Sequence, residues 1–488
     1  MKKIYSIVLL STLAALASCD DFLQEDPAST MVVDNFYKTE ADADAAIVGV
    51  YDGLNDQSNI YYRGFYLLAE LPTDNAECGQ GVANSYIFAL KDYSFGPVND
   101  RIYTLYTAVY KTIANANVAI DKIPGIAFGE AKKNRLVAEA RFVRALLYFN
   151  MVQLFGDIPL VTTQVTSLSD VNTPRSPVAD VYAQILGDLQ FAEQNLNATS
   201  AAADAGRPTQ SAAKGLLAKV YLTLKQYDKA RDKAKEVLSD SQYSLLATYF
   251  DIFTPANRFN KELIFAIQNK GNTGAGNGFA MALFLPRSTI KLAGGGTVGG
   301  NSADVPTQEF YNSFAAGDLR RDRTFFTQYD AGAGLATFRP HWYKFFDPSA
   351  ISTLNEGTLV YPIIRYADML LTYAEASNAQ DGPSADALEA LNQVRRRAYG
   401  KSITQPDASI DLTGLSQDGL ADAILAERRW EFGFENHRWF DLIRTGKFLS
   451  TMRDKGITTI KDYNVLYPIP QRERDVNKAL TQNDGYPK

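Results

Sequence analysis

Apolar residues recur every three or four positions along both ends of the chain, which is the spacing typical of amphipathic helices. Between residues 135 and 155 these positions are Leu136, Ala140, Val143, Leu147, Met151 and Leu154. The sequence GDIP follows at residues 156–159, and its glycine and proline predict the end of that helix. A long helix is therefore expected here, stopped by a turn.

Two further segments predict pairs of helices. Residues 211–238 carry small and large residues in the pattern of a tetratricopeptide helix pair, with a turn at residues 226–228. Residues 363–380 and 384–398 form a second pair, joined by the breaker DGP at residues 381–383. Because these pairs are spread out and divergent, we predict a mainly α fold. It is a tetratricopeptide-like scaffold of helical pairs, with long loop insertions and little β-structure.

The middle of the chain differs from both ends. Residues 271–300 are rich in glycine, which lowers helix stability by about 1 kcal/mol per residue. We predict a loop there, within a loop-rich insertion that spans about residues 271–345.

The first 18 residues have the pattern of a secretory signal, with Lys2 and Lys3 ahead of a short apolar run. The run is too short for a stable membrane span. Cys19 follows Ala17 and Ser18, and a cysteine at this place is the one that receives lipid in bacterial lipoproteins. We therefore predict a signal peptide over 1–18 and a lipid-anchored mature domain over 19–488. The alternative is an ordinary secretory signal followed by a cysteine that has no such role.

Composition excludes several classes of protein. The formal net charge is −6, which argues against a nucleic-acid partner. Only Cys78 remains once Cys19 is acylated, so no intramolecular disulfide is expected. One free cysteine and two histidines also disfavour a zinc site of the usual ligands. No loop has the EF-hand spacing, but whether another metal binds stays open.

Several blocks of residues, in the same order, resemble the SusD/RagB family of outer-membrane nutrient-binding lipoproteins. They are RFVRALLYF at 141–149, LFGDIP at 154–159, IRYADMLL at 364–371, YAEASN at 373–378, ERRWE at 427–431, the block from Glu435 to Arg444, YPIP at 467–470 and QNDGY at 482–486. A weaker block contains Tyr106, Tyr110, Ile113 and Asn117. With Cys19, the resemblance covers nearly the whole mature chain.

This resemblance implies a protein that captures a nutrient, typically an oligosaccharide or polysaccharide, and performs no chemistry on it. It implies a SusC-like TonB-dependent transporter as partner, with this chain as a hinged lid over the barrel. No cofactor is expected. The implied location is the outer membrane, lipid-anchored and exposed at the cell surface, and the acidic residues Asp20 and Asp21 after Cys19 resemble a surface-export signal.

Three alternatives remain open at this point. The same role with oligopeptide ligands is one, and a tetratricopeptide scaffold for protein partners is another. The third is a surface glycoside hydrolase, because Glu427, Glu431 and Glu435 could be read as paired catalytic acids. Arginines are interleaved with these glutamates, so we interpret them as a structural salt-bridge network and assign no catalytic residue.

Sugar binding requires flat apolar faces beside polar side chains. In the family, ligand residues come from loops between the early helices and from the later insertion, which correspond loosely to residues 57–101 and 271–345 here. The candidates are Tyr61, Tyr62, Arg63, Asp74, Asn75, Asn84, Tyr86, Tyr93, Phe279, Trp342 and Tyr343. Trp342 also has a structural interpretation, because residues 342–345 precede the helix at Ile364 as a structural strand does in relatives.

Overall fold

The structure is a computed structural model that describes residues 36–55, 60–80, 82–167, 172–270, 281–287, 290–292, 297–353 and 357–488. Helices dominate this part of the chain. They are α1 (Glu40–Asn55), α2 (Ser85–Asp92), α3 (Asp100–Lys122), α4 (Glu130–Phe155), α5 (Val178–Asn195), α6 (Gln210–Thr223), α7 (Tyr227–Leu238), α8 (Gln308–Asn312), α9 (Arg320–Thr324), α10 (Tyr366–Asp381), α11 (Ala385–Ala398), α12 (Gln417–Phe432), α13 (Arg438–Arg444), α14 (Phe448–Asp454) and α15 (Gln471–Val476). Two turns of π-helix, Ile60–Gly64 and Tyr66–Glu70, lie between α1 and α2.

Neighbouring helices pack side by side. Helix α4 contacts α3 and α5, α6 contacts α5 and α7, and α10 contacts α7, α11 and α12. The turn between α6 and α7 contains Lys225 with a φ of 58°, and the turn between α10 and α11 contains Gly382 with a φ of 79°. Glycine adopts such a φ without steric cost, which explains why α10 ends at Gly382. The predicted mainly α scaffold of helical pairs is confirmed.

Helix α4 is buried on nearly all sides, and it begins five residues before the predicted start at residue 135. Gly156, with a φ of 71°, ends it as predicted. The last carbonyl groups of a helix need partners from outside it. Here Leu154 O accepts from Tyr467 N at 2.8 Å, and Phe155 O accepts from Asn483 Nδ2 at 2.8 Å. The blocks YPIP and QNDGY thus supply hydrogen-bond donors to the last carbonyl groups of α4.

The strands are short and antiparallel. They are β1 (Ala76–Glu77), β2 (Ile158–Pro159), β3 (Arg175–Ser176), β4 (Leu263–Ile267), β5 (Ile290–Leu292), β6 (Thr297–Val298), β7 (Val305–Pro306), β8 (Phe325–Asp330), β9 (Leu335–Trp342) and β10 (Tyr361–Arg365). The described residues form three two-stranded pairs, β1–β7, β2–β3 and β4–β10, and one four-stranded sheet in the order β6-β5-β8-β9. That sheet lies inside the predicted insertion. Residues 271–280, 288, 289 and 293–296 of the expected loop lie outside the described residues.

A cluster of fully buried charges lies where the helical array meets β4 and β10. The Glu431 carboxylate, on α12, accepts from Arg365 Nη1 at 2.9 Å, from Arg397 Nη2 at 2.6 Å and from Arg320 Nη1 at 3.2 Å. Arg365 also binds Glu262 at 2.7 Å and Glu435 at 2.8 Å. The cluster therefore joins α9, α11 and α12 to the two strands.

The same cluster shows the role of the three glutamates between residues 427 and 435. Glu427, Glu431 and Glu435 are all buried, and each accepts hydrogen bonds from guanidinium or ammonium groups. Their carboxylates have no surface on which a sugar could lie. The structural interpretation of these three residues is confirmed.

A second ionic group lies beside the first. Asp368 accepts from Lys219 Nζ at 2.6 Å and from Arg428 Nη1 at 2.8 Å. Asp441 accepts from Arg428 Nε at 2.8 Å and from Arg444 Nη2 at 2.8 Å. These bonds tie α6, α10, α12 and α13 together.

Replacing Glu431 by glutamine should destabilise the fold strongly. Glu431→Gln keeps the shape but removes the charge that three buried guanidinium groups share, and breaking a buried ion pair costs about 3–5 kcal/mol. We expect a loss of about 3 kcal/mol or more in the free energy of unfolding, measured by urea titration. The control is Glu130→Gln on α4, whose side chain is 76% exposed and, among the described residues, forms an ion pair with Lys133 alone. It should change stability by less than about 1 kcal/mol. Equal effects of the two substitutions would contradict a stabilising network.

The Asp368 pair should make part of the stability dependent on pH. Burial alone would raise the pKa of Asp368, but Lys219 and Arg428 outweigh it and hold this pKa well below its usual value of 3.8. Between these two pKa values, Asp368 binds more protons in the unfolded chain than in the folded one. The stabilisation by the Asp368 carboxylate is therefore complete above about pH 4 and is lost as the pH falls. The difference in melting temperature between the wild type and Asp368→Asn should be largest near pH 6 and should shrink by pH 3. A constant difference over that range would refute the ion pair.

Candidate functional site

The two segments predicted to carry ligand residues meet in the structure. Strand β1 pairs with β7, so that Ala76 lies opposite Pro306 and Glu77 opposite Val305. The pairing continues on both sides, through Thr307 N to Asn75 O and Gly79 N to Ser302 O, both at 2.8 Å. Residues 75–79 and 302–307 therefore form one continuous seam.

Gly79 allows the two segments of the seam to approach each other closely. A Cβ at this position would lie 2.5 Å from Ser302 Cβ and 2.7 Å from Ser302 O, distances that real side chains do not adopt. A residue with a side chain would push the two segments apart.

Helix α2 follows the seam and presents two aromatic rings to solvent. Asn84 caps its first turn, with Oδ1 accepting from Tyr86 N at 3.0 Å and Ile87 N at 3.2 Å. Ile87 is buried, as is Leu90, so one side of the helix faces the core. The side chains of Tyr86 and Phe88 are 42% and 38% exposed.

Phe88 is a residue that the sequence prediction missed. The signal that could have found it is the spacing of Ile87 and Leu90, three residues apart, which marks the buried side of a short helix. The side chains of residues 86 and 88 then project from the helix on opposite flanks of that buried side. Tyr86 and Phe88 are therefore two separate ring surfaces and not one flat platform.

Asp74 and Asn75 lie at the start of the seam, where both are buried. The Asp74 carboxylate accepts from Arg438 Nε and Nη2, each at 2.8 Å. Asn75 donates to Glu70 Oε1 at 3.1 Å and accepts from Arg429 Nε at 2.9 Å. All of these partners are protein groups, so these two side chains hold the seam against α12 and α13.

Trp342 ends β9 and is fully buried. Its ring stacks on Phe434 with centroids 4.5 Å apart and an interplanar angle of 9°, and its Nε1 donates to Asp304 Oδ1 at 2.9 Å. This environment matches the structural interpretation of Trp342. Tyr343, the next residue, is half-buried and stacks on Phe346 at 5.5 Å.

The remaining candidates lie on the π-helical turn, at the end of α2 or outside the described residues. Tyr61 and Tyr62 are buried, and Tyr61 Oη accepts from Asn150 Nδ2 at 2.8 Å. Arg63 is half-buried; burial, with a smaller effect of Arg101, lowers its pKa. Tyr93 is buried and donates to Pro72 O. Phe279 and Cys19 lie outside the described residues.

Buried titratable groups lie beneath the seam. Burial raises the pKa of Glu70 to about 7, against hydrogen bonds from Asn75 and from the backbone of Phe434 and Asn436. Burial also lowers the pKa of Lys455 to about 8 and that of His341 to about 4. Lys455 donates to Thr73 O and Ala76 O, both at 2.6 Å. These groups serve as internal hydrogen-bonding partners of the seam.

The described residues contain no group of three or more His, Cys, Asp or Glu side chains placed to hold a metal ion. Among the same residues, no helix has the length and apolar character needed to cross a membrane.

Comparison with known proteins gives matches along the chain. A family profile described as "SusD family" matches residues 326–486. A second one, described as "Starch-binding associating with outer membrane", matches residues 21–222. Together these two regions contain most of the blocks on which the predicted resemblance depends.

Relatives and solved structures extend over the whole chain. SusD-like protein P2 of Formosa agariphila is 30% identical over 515 aligned residues, covering 100% of both chains. SusD-like protein P25 of the same organism is 29% identical, covering 98% of each. A solved structure entitled "Laminarin binding SusD-like protein" superposes with a TM-score of 0.79 at 28% identity, covering 92% of this chain and all of the other. This chain belongs to the SusD family.

Proposed function

We propose that this protein captures oligosaccharides at the surface of α2 and delivers them to a SusC-like TonB-dependent transporter, for which it acts as the lid. The protein would be held at the outer face of the outer membrane by lipid on Cys19. The observation that carries the binding part of this proposal is the exposed ring of Tyr86 on α2.

The geometry around Tyr86 suits a sugar ring. An exposed tyrosine offers an apolar face for stacking and a hydroxyl group for hydrogen bonding. Its backbone is fixed by the Asn84 cap and by Asn99 Nδ2, which donates to Tyr86 O at 3.0 Å. A ring held on a rigid backbone loses little conformational freedom when a ligand binds.

The relatives support a carbohydrate ligand. One solved neighbour is described as laminarin binding, and the profile over residues 21–222, which contains α2, is described as starch-binding. Laminarin and starch are therefore the first ligands to test. The burial of Glu427, Glu431 and Glu435 argues against the hydrolase alternative, because these acids are all held by guanidinium or ammonium groups.

The transporter and membrane parts of the proposal rest on family membership and on the sequence of residues 1–21. A ligand that touches both a lid and a barrel favours the closed state by its difference in affinity for the two states. The outer membrane is named in the description of the profile that matches residues 21–222.

Tyr86→Ala should weaken glycan binding about tenfold, because the ring supplies the stacking face and about 1.4 kcal/mol corresponds to that factor. The melting temperature should change little, since 42% of this residue is exposed. The measurement is native affinity electrophoresis of the purified protein in gels that contain laminarin or starch, with product formation monitored.

The matched control is Phe259→Ala, which removes an aromatic ring that is 57% exposed and lies away from α2 in the chain. It should leave retention unchanged. Equal weakening by the two substitutions would refute the assignment to α2. Cleavage of the polysaccharide would contradict a role in binding alone. If calorimetry detects binding of oligopeptides but not of glycans, the ligand class is oligopeptides.

Cys19→Ala should release the protein from the membrane, because several acyl chains each contribute about 0.8 kcal/mol per buried methylene. The measurement is the distribution of the protein between membrane and soluble fractions of cells. A variant that remains in the membrane fraction would contradict lipid anchoring at Cys19.

A further inference from the structure

A pocket lies between residues 200–209, which precede α6, and residues 258–268, which include β4. Gln242 and Tyr243, from the segment after α7, also line it, and none of its described lining residues belongs to α2. The volume of the pocket is about 250 Å³. Small-molecule sites have volumes of about 300–1,000 Å³, so this pocket suits a small ligand.

The wall of this pocket is positively charged. It contains Arg207, Arg258 and Lys261, and there is no Asp or Glu among the described residues that line it. Arg207 is already paired, since its Nη1 lies 2.7 Å from Glu139 Oε2. Arg258 and Lys261 form no ion pair in the described part of the chain. The pocket therefore holds two cations without counter-ions, although the chain as a whole has a formal charge of −6.

The Arg258 guanidinium is held in place but keeps one nitrogen free. Its Nη2 donates to Gln268 Oε1 at 3.2 Å and to Asn269 O at 2.8 Å, and its Cζ lies 5.4 Å from the centre of the Phe259 ring. Its Nη1 has no partner among the described residues and, unlike Nε, retains accessible surface. Burial lowers the pKa of Arg258, and no described carboxylate offsets this effect. A half-buried charge without a partner is costly, so an anion that bonds to Nη1 would stabilise it.

Other groups of the wall suit a sugar ring. The side chain of Phe259 is 57% exposed and offers an apolar face. Amide and hydroxyl groups, which can bond sugar hydroxyls, belong to exposed Ser200 and to half-buried Gln242, Tyr243 and Gln268. The pocket thus combines unpaired positive charge with groups that recognise a sugar.

From these observations we infer that this pocket is a second binding site, which takes a single sugar acid of the hexuronate type. The carboxylate of the ligand would accept from Arg258 Nη1, and Lys261 would add attraction at the mouth. One negative charge balances the one half-buried guanidinium that has no counter-ion. This site does not depend on the α2 surface. Because laminarin and starch are neutral, Phe259→Ala remains a valid control for their binding.

The test is calorimetric titration of the purified protein with D-glucuronate and D-galacturonate. At least one of them should saturate one site per chain. D-glucose and D-galactose have the same rings without the carboxylate, and acetate has the carboxylate without the ring. All three should bind at least tenfold more weakly. The affinity for the uronate should also fall as salt is added, because salt screens the attraction between charges.

Two substitutions in the wall test the role of the cations. Arg258→Gln should weaken uronate binding at least tenfold, because a charge-assisted hydrogen bond is lost. This variant also loses the bonds that Nη2 makes, so its folding is checked by its melting temperature. Lys261→Gln removes an exposed charge that has no ion pair among the described residues, and it should weaken binding about two- to threefold without a change in melting temperature.

The matched control is Arg472→Gln on α15. Arg472 also lies over an aromatic ring, with its Cζ 4.7 Å from the centre of Tyr103, but it does not line the pocket. Its substitution should leave uronate affinity unchanged, as should Tyr86→Ala.

Several results would overturn the inference. They are the absence of saturable binding by either uronate, equal affinity for glucuronate and glucose, and equal affinity for acetate and the uronates. A folded Arg258→Gln variant that binds as the wild type does would also overturn it. If that variant does not fold, unchanged affinity in Lys261→Gln would have the same meaning. Loss of uronate binding in Tyr86→Ala would contradict a separate site, while supporting the proposed role of α2.

Discussion

The Arg365 guanidinium is the interaction on which the rest of the structure depends. It lies at the end of β10, and its nitrogen atoms bind the carboxylates of Glu262, Glu431 and Glu435. These partners come from two separate parts of the chain, the residue before β4 and residues 431–435 at the end of α12, so one side chain joins both to β10. Buried ion pairs contribute less to net stability than apolar packing, but they tolerate only one arrangement of their donors and acceptors. The cluster therefore specifies a single way of joining the helical array to the insertion.

The seam that precedes α2 is connected to this cluster through a short series of contacts. Glu435 and Asn436 follow α12, and the backbone N–H of Asn436 donates to Glu70 Oε2 at 3.1 Å. Glu70 in turn accepts from Asn75, at the start of the seam that carries the chain to α2. A binding surface is effective when its supporting residues are fixed before the ligand arrives. The buried charges thus fix the segment that leads to α2, the helix on which Tyr86 is exposed.

The sequence predicted the helical scaffold, but it did not predict which candidate side chains are exposed. Helical periodicity and glycine breaks identified α4, α6, α7, α10 and α11, because these helices are long enough for the pattern to repeat. The four-stranded sheet in the insertion was not predicted, because its strands are short and depend on pairing across distant parts of the chain. Among the candidate residues, Tyr86 is exposed, while Asp74, Asn75 and Trp342 are buried. An aromatic residue in a strand or turn looks the same in sequence whether it faces solvent or the core.

By itself, the sequence determined the fold class, the family and the nature of the glutamates near residue 431. Each of these depends on local periodicity or on residue types within one block, which are visible without knowing the fold. Only the tertiary structure decided which aromatic rings reach solvent and which are buried. Burial depends on contacts between segments that are far apart in the chain, and no local pattern encodes them. The structure therefore added the exposure of each candidate side chain to a scaffold that was already predictable.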